Sequence, residues 1–224
     1  MELTERQKIL LETLKESNLS KKFYWTGGTL LAIYYLHHRY SYDIDLFSEQ
    51  PFSYEELIPF INRVKKKLSI SDIKEHKIHD RWEFVIPGKE IARIEFVYYN
   101  HEKKRLKPLQ SFMGISVDSL EDIAANKTMA YFDRNEPKDL FDLYFLITKK
   151  GFSVLTLLSL VKNKFGASFS EFMFWSESTK SLNLLSSLRP LIPKKNPLEQ
   201  ERIIQSIRDF FLDKGKNYLT KELG

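Results

Sequence analysis

The sequence contains no cysteine, which excludes a disulfide framework and any metal site built from thiolates. It also lacks an apolar run long enough to span a membrane. The N-terminal stretch MELTERQKIL is charged and has none of the apolar core of a signal peptide. Together these absences predict a cytoplasmic protein that makes no use of a membrane.

The composition is that of a globular chain with a basic excess. Its 224 residues suffice for one large domain or two small ones, and a hydrophobic content of 42% allows a buried core. The formal net charge is +5, and basic residues gather at positions 65–67, 103–107, 149–150 and 194–195. Such clusters are typical of proteins that bind a polyanion such as RNA, but also of ordinary solvated surfaces.

A small-residue turn, Thr26-Gly27-Gly28-Thr29, precedes an apolar helix that we predict from Leu30 to about His37. Glycine lets the backbone approach an anion closely, and the start of a helix offers free N–H groups to it. The turn is therefore a candidate phosphate cradle. Taken alone, a Gly-Gly pair before a helix is more often a simple turn.

Two aspartates follow in the segment Asp43-Ile44-Asp45-Leu46-Phe47, whose alternation of acid and hydrophobe predicts a half-buried strand. Asp43 and Asp45 then point to the same side, with Cα atoms roughly 7 Å apart. Two such carboxylates repel each other unless a cation lies between them, and Mg²⁺ favours one or two carboxylates plus substrate phosphates. A solvated strand edge is the alternative, but the combination with the Gly-Gly turn favours a metal site facing a phosphate cradle.

These residues resemble a known signature. The pattern Gly27-Gly28-Thr29, His38-Arg39, Ser41 and Asp43-Ile44-Asp45-Leu46-Phe47 is similar to that of the AbiEii/AbiGii abortive-infection toxin family. That family belongs to the DNA polymerase beta-like nucleotidyltransferases. The resemblance implies transfer of a nucleotidyl group from an NTP to an acceptor, with Mg²⁺ or Mn²⁺ held by Asp43 and Asp45. It also implies that the nucleotide is bound by Gly27, Gly28, Thr29, Arg39 and Ser41.

The same resemblance implies a biological role. The protein would be the toxin of a toxin–antitoxin system with a separate cognate antitoxin, and its acceptor would be the 3′ end of tRNA. Two alternatives remain open at this stage. One is a nucleotidyltransferase that modifies a protein hydroxyl or a small molecule, whose active site would look the same from sequence. The other is a non-catalytic nucleotide-binding module, against which the intact Asp-x-Asp pair argues.

Glu95 lies within an apolar strand segment, Arg93-Ile94-Glu95-Phe96-Val97. A buried carboxylate without a partner is costly, so Glu95 requires either the proposed metal or Arg93 beside it. The resemblance implies a third metal-binding acid on a neighbouring strand, and Glu95 is the position that matches it. The sequence leaves both partners open.

A second block of residues carries the same resemblance: Asn126-Lys127, Arg134, Lys138-Asp139 and Asp142-Leu143-Tyr144. A lone lysine on a helix is ordinarily an exposed surface residue, and we expect Lys127 to be exposed. The resemblance implies that it contacts nucleotide phosphates. It implies a supporting catalytic role for Asp139 and a nucleotide-binding role for Asp142. The alternative is a purely structural role: acids in the first turns of a helix interact favourably with its positive N-terminal end.

Periodicity and turn signals predict a mixed α/β (α+β) core followed by helices. The resemblance implies that this core is a polymerase-beta-like nucleotidyltransferase core with a mixed sheet, followed by a helical domain. The predicted boundary gives a core of residues 1–115 and a helical domain of residues 116–224 that contributes Lys127 and Asp139. The predicted helices cover 4–17, 54–68, 120–132, 137–148, 154–165, 170–185 and 198–212. The predicted strands cover 70–78, 82–86 and 91–99 in addition to the aspartate segment.

Overall fold

The computed structural model describes residues 2–88, 92–99 and 105–223. Residue 91 of one predicted strand and Lys103 and Lys104 of one basic cluster lie outside these ranges. The chain divides into two compact units: Met1–His37 with Ser41–Ile123, and His38–Tyr40 with Ala124–Gly224. This division differs from the predicted boundary after residue 115, because the segment Ile115–Val117 forms a strand of the sheet in the first unit.

The first unit is built on a mixed sheet. Its described strands are β1 Tyr24–Thr26, β2 Ile44–Ser48, β3 Lys74–Ile78, β4 Arg81–Ile86, β5 Ala92–Tyr98, β6 Gln110–Phe112 and β7 Ile115–Val117. They are arranged in the order β3-β4-β5-β2-β1-β7-β6. Strand β2 runs parallel to β5, strand β1 runs parallel to β7, and the other neighbours are antiparallel. The mixed α/β fold predicted from the sequence is confirmed.

The two faces of the central strands differ because apolar and acidic residues alternate along them. In β2, Ile44 and Leu46 are fully buried, and in β5 Ile94 and Phe96 are fully buried. Phe96 packs edge-on against the rings of Phe23, Phe60 and Phe84, at centroid distances of 5.0, 5.5 and 6.0 Å. Since side chains alternate between the faces of a sheet, the acids between these residues point to the opposite face.

Helices α1 (Glu5–Lys15) and α3 (Tyr54–Leu68) belong to the first unit. Ser53 and Glu56 form the capping box predicted at the start of α3, and Pro59 is accommodated within a continuous helix. The predicted turn at Gly27-Gly28 is instead the first turn of α2 (Gly27–Leu30), which continues as a π-helical segment, Leu31–Leu36. The helix starts early because Gly27 adopts a φ of +81°, which turns the chain directly out of β1.

The second unit is helical. Its helices are α5 (Pro137–Lys150), α6 (Val154–Phe165), α7 (Glu171–Ser181), α8 (Pro197–Leu223) and most of α4 (Leu120–Arg134), with a 3₁₀ segment at Leu182–Leu191. Helix α5 is buried on most of its surface, as its composition predicts. In the described part of the chain no single helix has the length and apolar character of a membrane span. The pair α5 and α6 meets that test jointly by length and composition alone, with a bend of 115°.

Candidate active site

Carboxylates from three adjacent strands lie side by side on the face of the sheet opposite Phe96. Asp45 of β2 is the register partner of Glu95 of β5, and Glu95 is the register partner of Glu83 of β4. Asp43 lies two residues before Asp45 and joins the group through Arg93. We call this group the acid face: Asp43, Asp45, Glu83 and Glu95, with the arginines Arg81 and Arg93 among them.

Arg93 contacts three of the four carboxylates. Its Nη2 donates to Oδ2 of Asp43 at 2.7 Å and its Nη1 donates to Oε2 of Glu83 at 3.1 Å. Its Nε lies 3.3 Å from Oε1 of Glu95, and Arg81 Nη1 donates to Oε2 of the same carboxylate at 3.3 Å. Of the two partners that the sequence leaves open for Glu95, Arg93 is therefore the one seen in the structure.

Burial and neighbouring charges have opposite effects on Glu95 and on Arg93. Burial raises the pKa of Glu95 above its ordinary value, and the guanidinium groups of Arg93 and Arg81 offset only part of this rise. Burial alone would lower the pKa of Arg93, but the carboxylates of Asp43, Glu95 and Glu83 raise that pKa above its ordinary value. Arg93 is thus a permanent cation among these acids.

The donors on the acid face fit a hard divalent cation. Asp43 and Asp45 offer carboxylate oxygens, the ligands that Mg²⁺ prefers, and the side chain of Asp43 is 37% exposed. A Cβ added at Gly27 would lie 1.8 Å from Oδ2 of Asp45, so the glycine backbone lies directly against that carboxylate. Within residues 2–88, 92–99 and 105–223, no three acidic or histidine side chains are arranged as a metal centre. Two carboxylates completed by substrate phosphates are therefore the arrangement that fits.

Thr29 and Ser41, both predicted to bind the nucleotide, are in contact. The buried Thr29 donates from Oγ1 to Oγ of Ser41 at 2.9 Å, and Gln7 Nε2 donates to the Ser41 carbonyl oxygen at 2.9 Å. On the other side of the turn, Thr26 Oγ1 donates to Oδ2 of Asp118 at 2.6 Å. The Gly-Gly turn is thus held at both ends by hydroxyl hydrogen bonds.

The remaining predicted residues form an ion-pair cluster in the second unit, buried except for Arg134: His38, Arg39, Lys127, Arg134, Asp139 and Asp142. Asp142 is its centre. It accepts from Arg39 Nε at 2.7 Å and Nη2 at 2.9 Å, and from His38 Nε2 at 2.7 Å. Lys127 Nζ lies 2.8 Å from its second oxygen. One fully buried carboxylate thereby binds three basic side chains.

Lys127 also binds Asp139, with Nζ 3.1 Å from Oδ1. Arg134 donates to the same carboxylate from Nε at 2.8 Å and from Nη2 at 3.0 Å. Lys127 is 7% exposed, so the expectation of an exposed lysine is wrong. The reason is that two aspartates of α5 compensate its charge inside the protein.

Asp139 lies in the first turn of α5, but the contacts of both aspartates are ion pairs and hydrogen bonds with side chains. Asp139 and Asp142 are fully buried, and their oxygens bind lysine, arginine and histidine side chains. The N-cap residue of α5, Glu136, makes no side-chain capping bond. The sequence showed two acids in an apolar helix, and the ion pairs explain why they are there.

The charge state of the cluster follows from these contacts. Burial would raise the pKa of Asp142, but Arg39 and Lys127 hold it well below its usual value. The pKa of Lys127 is raised, because Asp142 and Asp139 outweigh the opposing effect of burial. Burial lowers the pKa of His38 despite its bond to Asp142, so the ring is neutral and its Nε2 carries the donated proton. Three cations against two carboxylates leave the cluster with one positive charge.

The predicted site residues therefore fall into two groups, one in each unit. Glu83 and Arg81 belong to the first group although the sequence did not single them out. Their signal was the alternation Arg81-Trp82-Glu83-Phe84, which places both side chains on the polar face of a strand.

A model of the family described as nucleotidyl transferase AbiEii toxin, type IV toxin–antitoxin system, matches residues 8–216. The chain belongs to this family. The resemblance drawn from the two sequence blocks is confirmed, and with it the assignment of the protein as a nucleotidyltransferase. Membership of the AbiEii family implies a nucleotide substrate and an antitoxin partner.

Relatives of this AbiEii protein extend over its full length. An uncharacterized protein of Aquifex aeolicus (strain VF5) is 29% identical over 222 residues, covering 97% of this chain and 98% of the relative. A crystal structure of a candidate nucleotidyltransferase from Helicobacter pylori superimposes with a TM-score of 0.58 at 21% identity, covering 96% and 99% of the two chains. The structure of JHP933 from Helicobacter pylori gives a TM-score of 0.53 at 21% identity over the whole of both chains. At these identities the two structures show a shared fold.

Proposed function

We propose that this AbiEii protein catalyses metal-dependent transfer of a nucleotidyl group from an NTP to the 3′ end of tRNA. An acceptor hydroxyl attacks the α-phosphorus, the bond to the bridging oxygen breaks, and pyrophosphate leaves. The observation that carries the proposal is the contact between the Gly27 backbone and the carboxylate of Asp45, because it joins a phosphate cradle to a candidate metal ligand.

Asp43 and Asp45 would hold Mg²⁺ or Mn²⁺. When bound, such an ion stabilises negative charge on the phosphate oxygens and lowers the pKa of a coordinated hydroxyl. The backbone at Gly27 and Gly28 would bind the triphosphate, and the hydrogen bond from Thr29 to Ser41 would keep this turn in position.

In the second unit we assign Lys127 and Arg39 to neutralising phosphate charge, which lysine and arginine can do without being metal ligands. The surplus positive charge of the ion-pair cluster supports this assignment. Asp139 and Asp142 would act as positioning residues that hold these two cations. Because Lys127 Nζ contacts both Asp139 and Asp142, a phosphate would compete with one of these acids for it.

The acceptor assignment rests on the family resemblance together with the net charge of +5. A polyanionic acceptor is attracted by such an excess of basic residues. We place the reaction in the cytoplasm, with control by a separate cognate antitoxin.

The test is incubation of the protein with total RNA and each α-labelled NTP in the presence of Mg²⁺. Label in RNA of tRNA size is the expected result, and it should disappear when periodate has destroyed the terminal 2′,3′-diol of the RNA. Asp45→Asn serves as the inactive control. Label that enters protein or a small molecule in whole lysate, and not RNA, would contradict the acceptor assignment. An absence of metal-dependent pyrophosphate release would contradict catalysis altogether.

A further inference from the structure

We propose that Arg93 takes the place of a second metal ion on the acid face, so that the nucleotide-free protein binds a single divalent cation. This inference rests on the proposed function, because it concerns the metal at Asp43 and Asp45. Arg93 is then a positioning residue, because it acts on the metal through the carboxylates that it contacts.

The geometry of Arg93 is that of a cation shared among several acids. Nη2 donates to Asp43 at 2.7 Å and Nη1 donates to Glu83 at 3.1 Å, while Nε lies 3.3 Å from Glu95 without a hydrogen bond to it. A planar fork of fixed donors suits this task better than an ammonium group does.

The charge count on the acid face points the same way. The four carboxylates Asp43, Asp45, Glu83 and Glu95 carry four negative charges, and Arg81 and Arg93 carry two positive ones. Four minus two leaves two negative charges, which one divalent cation neutralises. Without Arg93 the face would carry three, and the place that Arg93 holds between Asp43, Glu83 and Glu95 would be open to a further cation.

The contacts also divide the carboxylate oxygens. Both oxygens of Glu95 face a guanidinium group, Oε1 that of Arg93 and Oε2 that of Arg81. Arg93 contacts a single oxygen of Asp43, Oδ2, and a carboxylate can bind a second cation through its other oxygen. Arg93 thus keeps Glu95 from acting as a ligand and leaves Asp43 available, which agrees with the lack of three converging acids among the described residues.

The experiment is a titration of the full chain with Mn²⁺ in the absence of nucleotide, with free Mn²⁺ measured by electron paramagnetic resonance. Wild-type protein is expected to bind one Mn²⁺, and Arg93→Gln to bind two. The double variant Arg93→Gln/Glu95→Gln is expected to bind one again, because the second ion would use the released Glu95. Arg93→Met, which keeps the apolar stem, replaces Arg93→Gln if the latter does not fold.

Arg81→Gln is the matched control, since it makes the face more negative by the same single charge but leaves Arg93 in place between Asp43, Glu83 and Glu95. It should retain a stoichiometry of one. Two Mn²⁺ bound by wild type, or one bound by Arg93→Gln, would overturn the inference while leaving the proposed metal site intact. If wild type binds no Mn²⁺ and releases no pyrophosphate from NTP, the proposed function and the inference both fail.

Discussion

Gly27 has no room for a side chain because the carboxylate of Asp45 fills the space where a Cβ would stand. The distance from that Cβ to Oδ2 would be 1.8 Å, and to Cγ 2.6 Å. The two residues are 18 positions apart, and the pairing of β1 with β2 brings them together, with Thr26 and Asp45 in register.

Gly27→Ala should therefore abolish nucleotidyl transfer, because the methyl group would force Asp45 out of position. The positive φ of Gly27 adds a backbone cost of about 1–2 kcal/mol for an L-residue. Gly166→Ala is the control: its φ of +73° carries a similar backbone cost, and the described residues leave the space around that Cβ open. Transfer assays and thermal melts of both variants decide the point. Wild-type turnover in Gly27→Ala would show that transfer does not depend on the position of Asp45.

Lys127→Ala should lower both stability and transfer. It leaves Asp139 and Asp142 buried with one cation fewer, and breaking a buried ion pair from one side costs roughly 3–5 kcal/mol. Lys162→Ala, on an exposed position of α6, should change stability by less than about 1 kcal/mol. Chemical denaturation of the two variants provides the comparison. Equal stabilities would contradict the burial of Lys127.

Asp142→Asn should destabilise the protein more than Asp139→Asn does. Asp142 binds Arg39, His38 and Lys127, all of them buried, whereas one of the two partners of Asp139, Arg134, has a side chain that is 44% exposed. An exposed arginine regains water when its partner is lost, and a buried one does not. We expect both variants to lose transfer activity, since each loosens Lys127. If Asp139→Asn denatured at a lower denaturant concentration than Asp142→Asn, the ion pairs of Asp139 would contribute more to stability than those of Asp142, and the prediction would be wrong.

Acid should destabilise the second unit through His38. The pKa of His38 is lowered by burial, so the unfolded chain binds its proton more tightly than the folded protein does. Its contribution to stability is complete above the unfolded value near 6.5 and decreases as the pH falls below it. The pKa of Asp142 is also lowered, so its contribution to stability likewise decreases as the pH falls below 3.8, the ordinary pKa of an aspartate.

Melting temperatures at pH 7.5 and pH 5.5 test this prediction. Wild type should melt lower at pH 5.5, and His38→Gln should show a smaller difference between the two pH values. His76→Gln, on the exposed strand β3, should keep the wild-type difference. A His38→Gln protein with an undiminished pH effect would place the responsible group elsewhere.

Local patterns in the sequence predicted most of the fold. Helix α3 was predicted with its observed limits because its capping box, Ser53 with Glu56, is a local signal. The strands β6 and β7 were missed because each has only three residues; they pair with each other across a hairpin, and β7 joins the sheet by pairing with β1. The extension of α8 to Leu223 was missed too.

Most residues of the acid face and of the ion-pair cluster were singled out from the sequence, with Arg81 and Glu83 as exceptions, but their contacts could not be predicted. Asp45 and Glu95 were both proposed as ligands, and their register across β2 and β5 joins residues 50 positions apart. The bond between His38 and Asp142 spans 104 positions. Contacts at such separations depend on how strands pair and helices pack, and for this reason the burial of Lys127 was mispredicted.

The short segment His38–Tyr40 belongs to the helical unit although its neighbours in the chain, on both sides, belong to the sheet unit. It is tied there by His38 and Arg39 on Asp142, and by the Tyr40 N–H donating to the Leu191 carbonyl oxygen at 2.6 Å. The polypeptide therefore passes from one unit to the other three times. No single cut can release the helical unit intact, because a fragment that begins at Ala124 would leave Asp142 without two of its three basic partners.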